Sequence, residues 1–251
     1  MNGSTQALCY LDSASVGLKE ELELLQATER AQTGQALIWH TAQSLVVPAS
    51  FAAKPGFQAA ATASRERGWP VATRATGGGT TPQGPGILNV CLAFQAASRP
   101  SIHDAYRKIC DPLQRAFEEL GLPSTCCAVP GSFCDGEFNI VHRGRKLAGT
   151  AQRWRPAKSR VGHGILVHAL ILYSADVSRI VQAINAFHAD LQFDVPVIEN
   201  AHTTVEAAGG RMSEADFAEL LANRLGEHGN ERVCLSVDSQ LNAGAGMAVS
   251  I

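Results

Sequence analysis

The residues able to do chemistry fall in three places. The first is a glycine-dense run at residues 74–89, RATGGGTTPQGPGILN. It fits neither the dinucleotide-binding glycine fingerprint nor the nucleotide phosphate loop. Gly77, Gly78 and Gly79 let the backbone take conformations closed to residues with a Cβ, and let amide N–H groups approach an anion or carbonyl. Arg74 at the mouth adds a fixed positive charge. Two readings stay open for this run: a ligand cradle, or a surface loop in which glycine serves only for turning. The second place is Lys146, between Arg145 and Leu147 on a strand pattern. It is either an exposed edge lysine or a buried cation in need of a partner. The third is Cys134 in GSFCDGEFN, twelve residues before Lys146. A thiol with an ammonium nearby is a nucleophile for covalent group transfer. An inert Cys134, with Cys126 or Cys127 as rival thiols, is the alternative.

The surrounding patterns supply elements to hold these groups. Leu18, Leu22 and Leu25 recur at helical spacing in residues 17–32. Residues 36–47 read as two short strands around a polar centre, and 51–67 as a short helix. Strands at 69–74 and 87–97 enter and leave the glycine run. Residues 102–120 form an amphipathic helix capped by Ser101, with a kink or restart expected at Pro112. Segments 138–141 and 145–149 make a hairpin around HRGR. Residues 152–160 read as a basic loop, and 164–173 as a buried strand broken by His168. Helices follow at 177–191 and at 213–225, the latter capped by Ser213 and ended by Gly226. Residues 242–251 are small, Gly-rich and expected to be loose. Strand clusters alternating with helices fit an α+β or mixed α/β fold, and α+β in one domain over residues 1–251 is the expectation.

Composition narrows the function classes. Lys plus Arg is 21 and Asp plus Glu is 23, for a net charge of −2. That balance argues against an electrostatic nucleic-acid binder. No run approaches the about 18 apolar residues of a membrane span. The seven cysteines are odd in number, and no C-x-x-C pair or export signal is present. Reduced thiols, a cytoplasmic location and no metal site are the expectations.

The glycine run resembles the Arg-x-Ser/Thr-Gly-Gly-Gly signature of the superfamily of lipoate–protein ligase A, biotin protein ligase catalytic domains and lipoyl or octanoyl transferases. GRKLAGTAQRWR at 144–155 and His163-Gly164-Ile165-Leu166 are similar to its second and third motifs, in family order. The similarity extends from about residue 20 to about residue 225. It implies mixed, mostly antiparallel sheets flanked by helices, the class II biotin/lipoate ligase-like architecture. It implies substrate binding by Arg74, Gly77, Gly78, Gly79, Asn89, Gly149, Thr150 and His163, with Lys146 reaching the acyl carbonyl and Trp39 walling an apolar slot. The segment around Cys134 resembles the cysteine-dependent octanoyl- or lipoyl-amidotransferases, in which that cysteine accepts the acyl group. Their reaction moves octanoyl or lipoyl onto a lysine of a lipoyl-domain or glycine-cleavage carrier protein. No cofactor is required for that route. ATP and Mg belong to the alternative, a lipoate ligase working through an acyl-adenylate. A non-catalytic acyl-binding module is the remaining alternative. Two departures stand out. Gln83 occupies a position where many members carry His, and no cysteine lies between Lys146 and Val233, where another transferase group places its nucleophile. His163 is a candidate general base by chemistry alone, its other reading being a packed or capping residue. His142, His168 and the other histidines read as surface or core.

Overall fold

A computed structural model describes residues 8–31, 34–97, 100–156, 162–227 and 232–233. The tail at 242–251 and Cys234 lie outside the described residues. Strand β1 (Cys9–Leu11) leads into helix α1 (Ala14–Ala31), then β2 (Gln35–Thr41) and β3 (Ser44–Pro48). Helix α2 (Phe57–Glu66) and strand β4 (Val71–Arg74) precede the glycine run, which contains β5 (Thr81–Gln83). Then come β6 (Ile87–Ala96), α3 (Ile102–Glu119), β7 (Thr125–Cys126), β8 (Ile140–His142) and β9 (Arg145–Pro156). Strand β10 (His163–Leu172), α4 (Val177–Asp190), α5 (Glu214–Glu227) and β11 (Arg232–Val233) complete the order.

A large sheet runs β1-β2-β6-β10-β9-β8-β7, with β11 also on β2. Among the described strands of this sheet, only β1 and β11 pair in parallel, both with β2. A small sheet, β4-β3-β5, has one parallel and one antiparallel pair. This is the mixed, mostly antiparallel α+β architecture that the sequence predicts.

Strands β6 and β10 are buried on both faces, which their near-continuous apolar sequences require. Alternate residues go to opposite sides. Leu88, Val90, Leu92, Ile165 and Val167 join Ile109, Leu113 and Phe117 of α3 and Phe217 and Leu221 of α5 in one core. Cys91, Ala93 and Leu166 face Leu25 of α1 on the other side. Beyond them Leu170 and Leu172 meet Leu45 and Val47 of β3, Phe57 of α2 and Ile184 and Phe187 of α4. The small sheet and α1 therefore enclose one end of the large sheet's second face.

Local signals explain most boundaries. Ser101 and Asp104 form a reciprocal capping box on α3, Asp176 caps α4, and Ser213 accepts the Asp216 amide at the start of α5. The β8–β9 hairpin turns through Arg143 and Gly144, both left-handed (φ 49° and 74°), as a two-residue type I′ turn demands. Three expectations are corrected. Helix α3 continues through Pro112 without the restart, and Pro112 is buried in the core face. Helix α5 runs past Gly226 to Glu227. The basic stretch from Gln152 is strand to Pro156, because β9 pairs residue for residue with β10 along that length; residues 157–160 lie outside the described residues.

Candidate active site

The three chemical segments converge on the second face of the large sheet. Cys134 sits on the loop between β7 and β8 in left-handed backbone (φ 45°), a strained conformation for a residue with a Cβ. The surrounding structure holds it there. Asp135 Oδ1 accepts the Val129 and Gly136 amides at 2.8 Å each and Asn139 Nδ2 at 2.7 Å. His202 Nε2 accepts the Phe133 amide at 3.0 Å, while the His202 ring stacks on Phe133. Lys146 Nζ donates to the carbonyls of Phe133 (2.6 Å) and Cys134 (3.0 Å). The ammonium fastens the backbone of the cysteine loop.

The glycine run closes over the sulfur. Cys134 Sγ accepts the Gly79 N–H at 3.1 Å and faces Arg74 Nη2 at 3.6 Å. Gly78 has φ 105°, and a Cβ there would come within 2.6 Å of Sγ. Arg74 is itself buried, donating to Thr81 Oγ1 (2.9 Å) and to the carbonyls of Val46 (3.1 Å), Gly77 (3.1 Å) and Gly79 (2.7 Å). One guanidinium pins the run beside the thiol, although Gly77 and Gly78 themselves are exposed.

Burial sets the charges. Desolvation pulls the Lys146 ammonium down to about 8, against the opposing pull of Cys134 and Asp135. Desolvation also lowers the Arg74 guanidinium, with Cys134 and Glu21 acting to restore it. His202 is depressed to about 4, first by desolvation and then by Lys146. It is neutral near pH 7, so Nδ1 carries the proton toward the Ile198 carbonyl (3.0 Å) and Nε2 is free to accept.

A cavity of about 480 Å³, counting its open mouth, adjoins Cys134 and Lys146. Its apolar walls are Leu18, Trp39, Val46, Phe133 and Leu170, and Gly149, Thr150 and Ala151 of β9 form one side. A Cβ on Gly149 would meet Lys146 Cε at 2.9 Å, so the absence of a side chain there makes room for the lysine. An apolar lining of this kind suits the chain of an acyl group.

Arg74, Asn89, Cys134, Lys146, Gly149 and Thr150 all line the cavity. Gly77, Gly78 and Gly79 bind Arg74 or pack on the sulfur. Gln83 and Asn89 exchange two amide hydrogen bonds (2.8 and 2.7 Å), which explains how glutamine fits this position: its partner is Asn89. The Thr150 hydroxyl is engaged by the Phe138 carbonyl at 2.8 Å. Cys126 and Cys127 are not among the lining residues. His163 is corrected as a site residue. It begins β10, five residues before His168, about 16 Å away along a strand, with its ring edge-on to Trp154.

Four residues come as additions. Asp135 and His202 shape the cysteine loop. Glu21, which no motif singles out, and His168, read as surface or core, both line the cavity. Glu21 is 2% exposed, and its oxygens accept Trp39 Nε1 (3.2 Å) and His168 Nδ1 (2.9 Å). The signal for His168 was its interruption of an otherwise apolar strand, GILVHALILY. For Glu21 there was none. Among the described residues no group of three or more His, Cys, Asp or Glu is placed to hold a metal ion. None of the described helices is long and apolar enough to cross a membrane.

Comparison with known proteins bears on the family and the fold. An uncharacterized protein of Cupriavidus necator is 34% identical over 85% of this chain and 92% of its own length. An octanoyl-GcvH:protein N-octanoyltransferase of Kyrpidia tusciae is 30% identical over 70% of this chain, which spans 65% of that enzyme. Among solved structures, a lipoate-protein ligase A bound with ATP superposes with a TM-score of 0.66 at 17% identity, covering 88% of this chain and 84% of the other. A lipoate protein ligase structure from T. acidophilum with bound lipoic acid gives 0.66 at 15% identity, covering 90% and 87%. At these identities the structural likeness establishes the fold. The model of the lipoyl protein ligase A/B catalytic domain matches residues 18–226, and the chain belongs to that family.

Proposed function

We propose that this chain moves an octanoyl or lipoyl group onto a lysine of a carrier protein through a thioester on Cys134. The observation that carries the reading is the sulfur itself: it lines an apolar cavity, with the Gly79 N–H and the Arg74 guanidinium aimed at it. Sγ attacks the carbonyl of an acylated carrier. An S–C bond forms, the donor's C–N or C–S bond breaks, and the thiol proton leaves with the departing amine or thiol. N–H and guanidinium donors that reach the carbonyl oxygen during attack would supply the usual large contribution in acyl transfer. Lys146 holds the loop's carbonyls and presents a cation beside the acyl head.

The carriers are lipoyl-domain or glycine-cleavage proteins. The Kyrpidia relative is named for GcvH, and an archaeal ligase of this fold is described with its E2 lipoyl domain. The acyl group enters as substrate, and this route uses neither ATP nor Mg. A reducing cytoplasm suits it, and the six described cysteines are free thiols.

Incubation with octanoylated carrier, followed by intact-mass measurement, should show one octanoyl group on the chain. Hydroxylamine should release it, and Cys134→Ala should not acquire it. Full transfer by Cys134→Ala overturns the thioester route. Acceptor lipoylation that needs ATP and free lipoate points to a ligase instead.

A further inference from the structure

An acyl thioester at Cys134 must next meet a lysine amine, which carries a proton at neutral pH and cannot attack until it loses it. Lys146 is poorly placed to take that proton, because its nitrogen is engaged with two carbonyls of the cysteine loop. His163 lies far along β10. The groups left at the cavity are Glu21 and His168.

Beside the acyl cavity lies a second, more open groove of about 820 Å³. The two share Leu18, Glu21, Arg74 and His168 as a common wall. Leu22, Ala49 and Leu166 give the groove an apolar side, suited to the four-carbon stem of a lysine. Lys19, Arg74 and Arg153 also line it, so an ammonium is disfavoured there and a neutral amine is not.

The dyad at the junction has the geometry of a base. Both Glu21 oxygens are engaged, one by Trp39 Nε1 and the other by His168 Nδ1. A carboxylate accepting from Nδ1 keeps the proton on that nitrogen and turns the lone pair to Nε2. Among the described residues, Nε2 meets the Thr76 hydroxyl, at 3.3 Å. The imidazole side chain is 15% exposed and the carboxylate 3%. One end is thus anchored in the protein while the other faces the shared wall.

We infer that this groove admits the acceptor lysine of the carrier and that His168, oriented by Glu21, is the base that deprotonates it. The inference rests on the thioester reading above. The ammonium gives one proton to His168 Nε2, which releases it to solvent through the open groove. The neutral amine then attacks the thioester carbonyl. The C–N bond forms, the C–S bond breaks with its electron pair on Sγ, and the second nitrogen proton goes to the sulfur.

The test separates the two half-reactions. The full chain is acylated at Cys134 with octanoylated carrier, then mixed with an acceptor lipoyl domain or with hydroxylamine, which is already neutral near pH 7. In His168→Asn, both release rates are measured on acyl-enzyme already formed, and transfer to lysine is compared with hydroxylamine release from the same preparation. Transfer to lysine should slow about 10²- to 10⁴-fold, the usual span of general-base catalysis. Glu21→Gln, which can still accept from Trp39, should slow the same step at least about tenfold. Equal slowing of lysine and hydroxylamine, or no slowing of either, overturns the role of His168. Failure of the parent chain to form any acyl-enzyme appears before the variants are compared, and it overturns the thioester reading together with this one.

Discussion

The two faces of the large sheet use the same strands for opposite purposes. On β10, Ile165, Val167, Ala169 and Ile171 enter the core against α3 and α5, built of aliphatic and aromatic side chains. The residues between them, Leu166, His168 and Leu170, face α1 and the cavity. There Glu21, Arg74, Lys146, Asn89 and Gln83 are all buried. Removing charged and amide groups from water is unfavourable unless each finds a partner. The face against α3 and α5 offsets that burden by burying apolar surface, while the other face uses it to position reactive groups. Stability and chemistry are thereby divided by the two-residue period of a strand.

The sharpest break in that division is a pair of substitutions. Cys134→Ala should lower acyl transfer by about 10³-fold or more, as loss of a nucleophile does. Its urea midpoint should stay near that of the parent chain. Phe117→Ala should do the reverse. Phe117 is fully buried and stacks on Phe217 at 5.5 Å. Truncation should lower stability by about 3–5 kcal/mol, with transfer per folded molecule unchanged. Urea denaturation and initial rates on the same preparations check both. If Phe117→Ala slows transfer in proportion to lost stability, the faces are coupled and the division fails.

His202 lies where stability and chemistry meet. Its imidazole ionises at about 4 in the fold against 6.5 ordinarily. Below pH 6.5 the unfolded chain takes up a proton that the folded chain refuses until about pH 4. The stabilisation is therefore complete above 6.5 and is lost as pH falls through that window. The full difference is about 3 kcal/mol. His202→Gln should flatten this acid slope relative to the parent chain in urea titrations between pH 7 and pH 4. An unchanged slope means another group governs the acid limb. Protonation in the folded chain would also remove the acceptor for the Phe133 amide, so transfer should fall only as pH approaches about 4.

What was legible in the sequence were features whose cause is local. Ser101 with Asp104 announces a helix start, and HRGR announces a two-residue turn, because each needs only neighbouring residues. Arg74, the three glycines, Cys134 and Lys146 were legible because each lies inside a short motif. Illegible were pairs that only the fold brings together. Glu21 lies 147 residues before His168, and Phe133 lies 69 before His202. Neither pair leaves a spacing to read. The strand at Gln152 was missed for a related reason: QRWR is as polar as a loop, and what makes it strand is the ladder to β10.

Gly78 offers the finest cut, since it probes placement without removing a reactive group. Its φ of 105° is unfavourable for alanine, and the added Cβ would approach Cys134 Sγ to 2.6 Å and Arg74 Nη2 to 3.1 Å. Either the glycine run or the sulfur must move. A shift near 1 Å at a reacting atom lowers rates by about 10²-fold. The strain itself should cost about 1–3 kcal/mol of stability. Gly78→Ala should therefore lose about 10²-fold in acylation rate at Cys134 while keeping its fold and its free thiol. Timed intact-mass measurement of acyl-enzyme formation, alongside thiol titration, checks this. Acylation at the parent rate would mean that the resting contact between Gly79 and the sulfur is not the reactive arrangement.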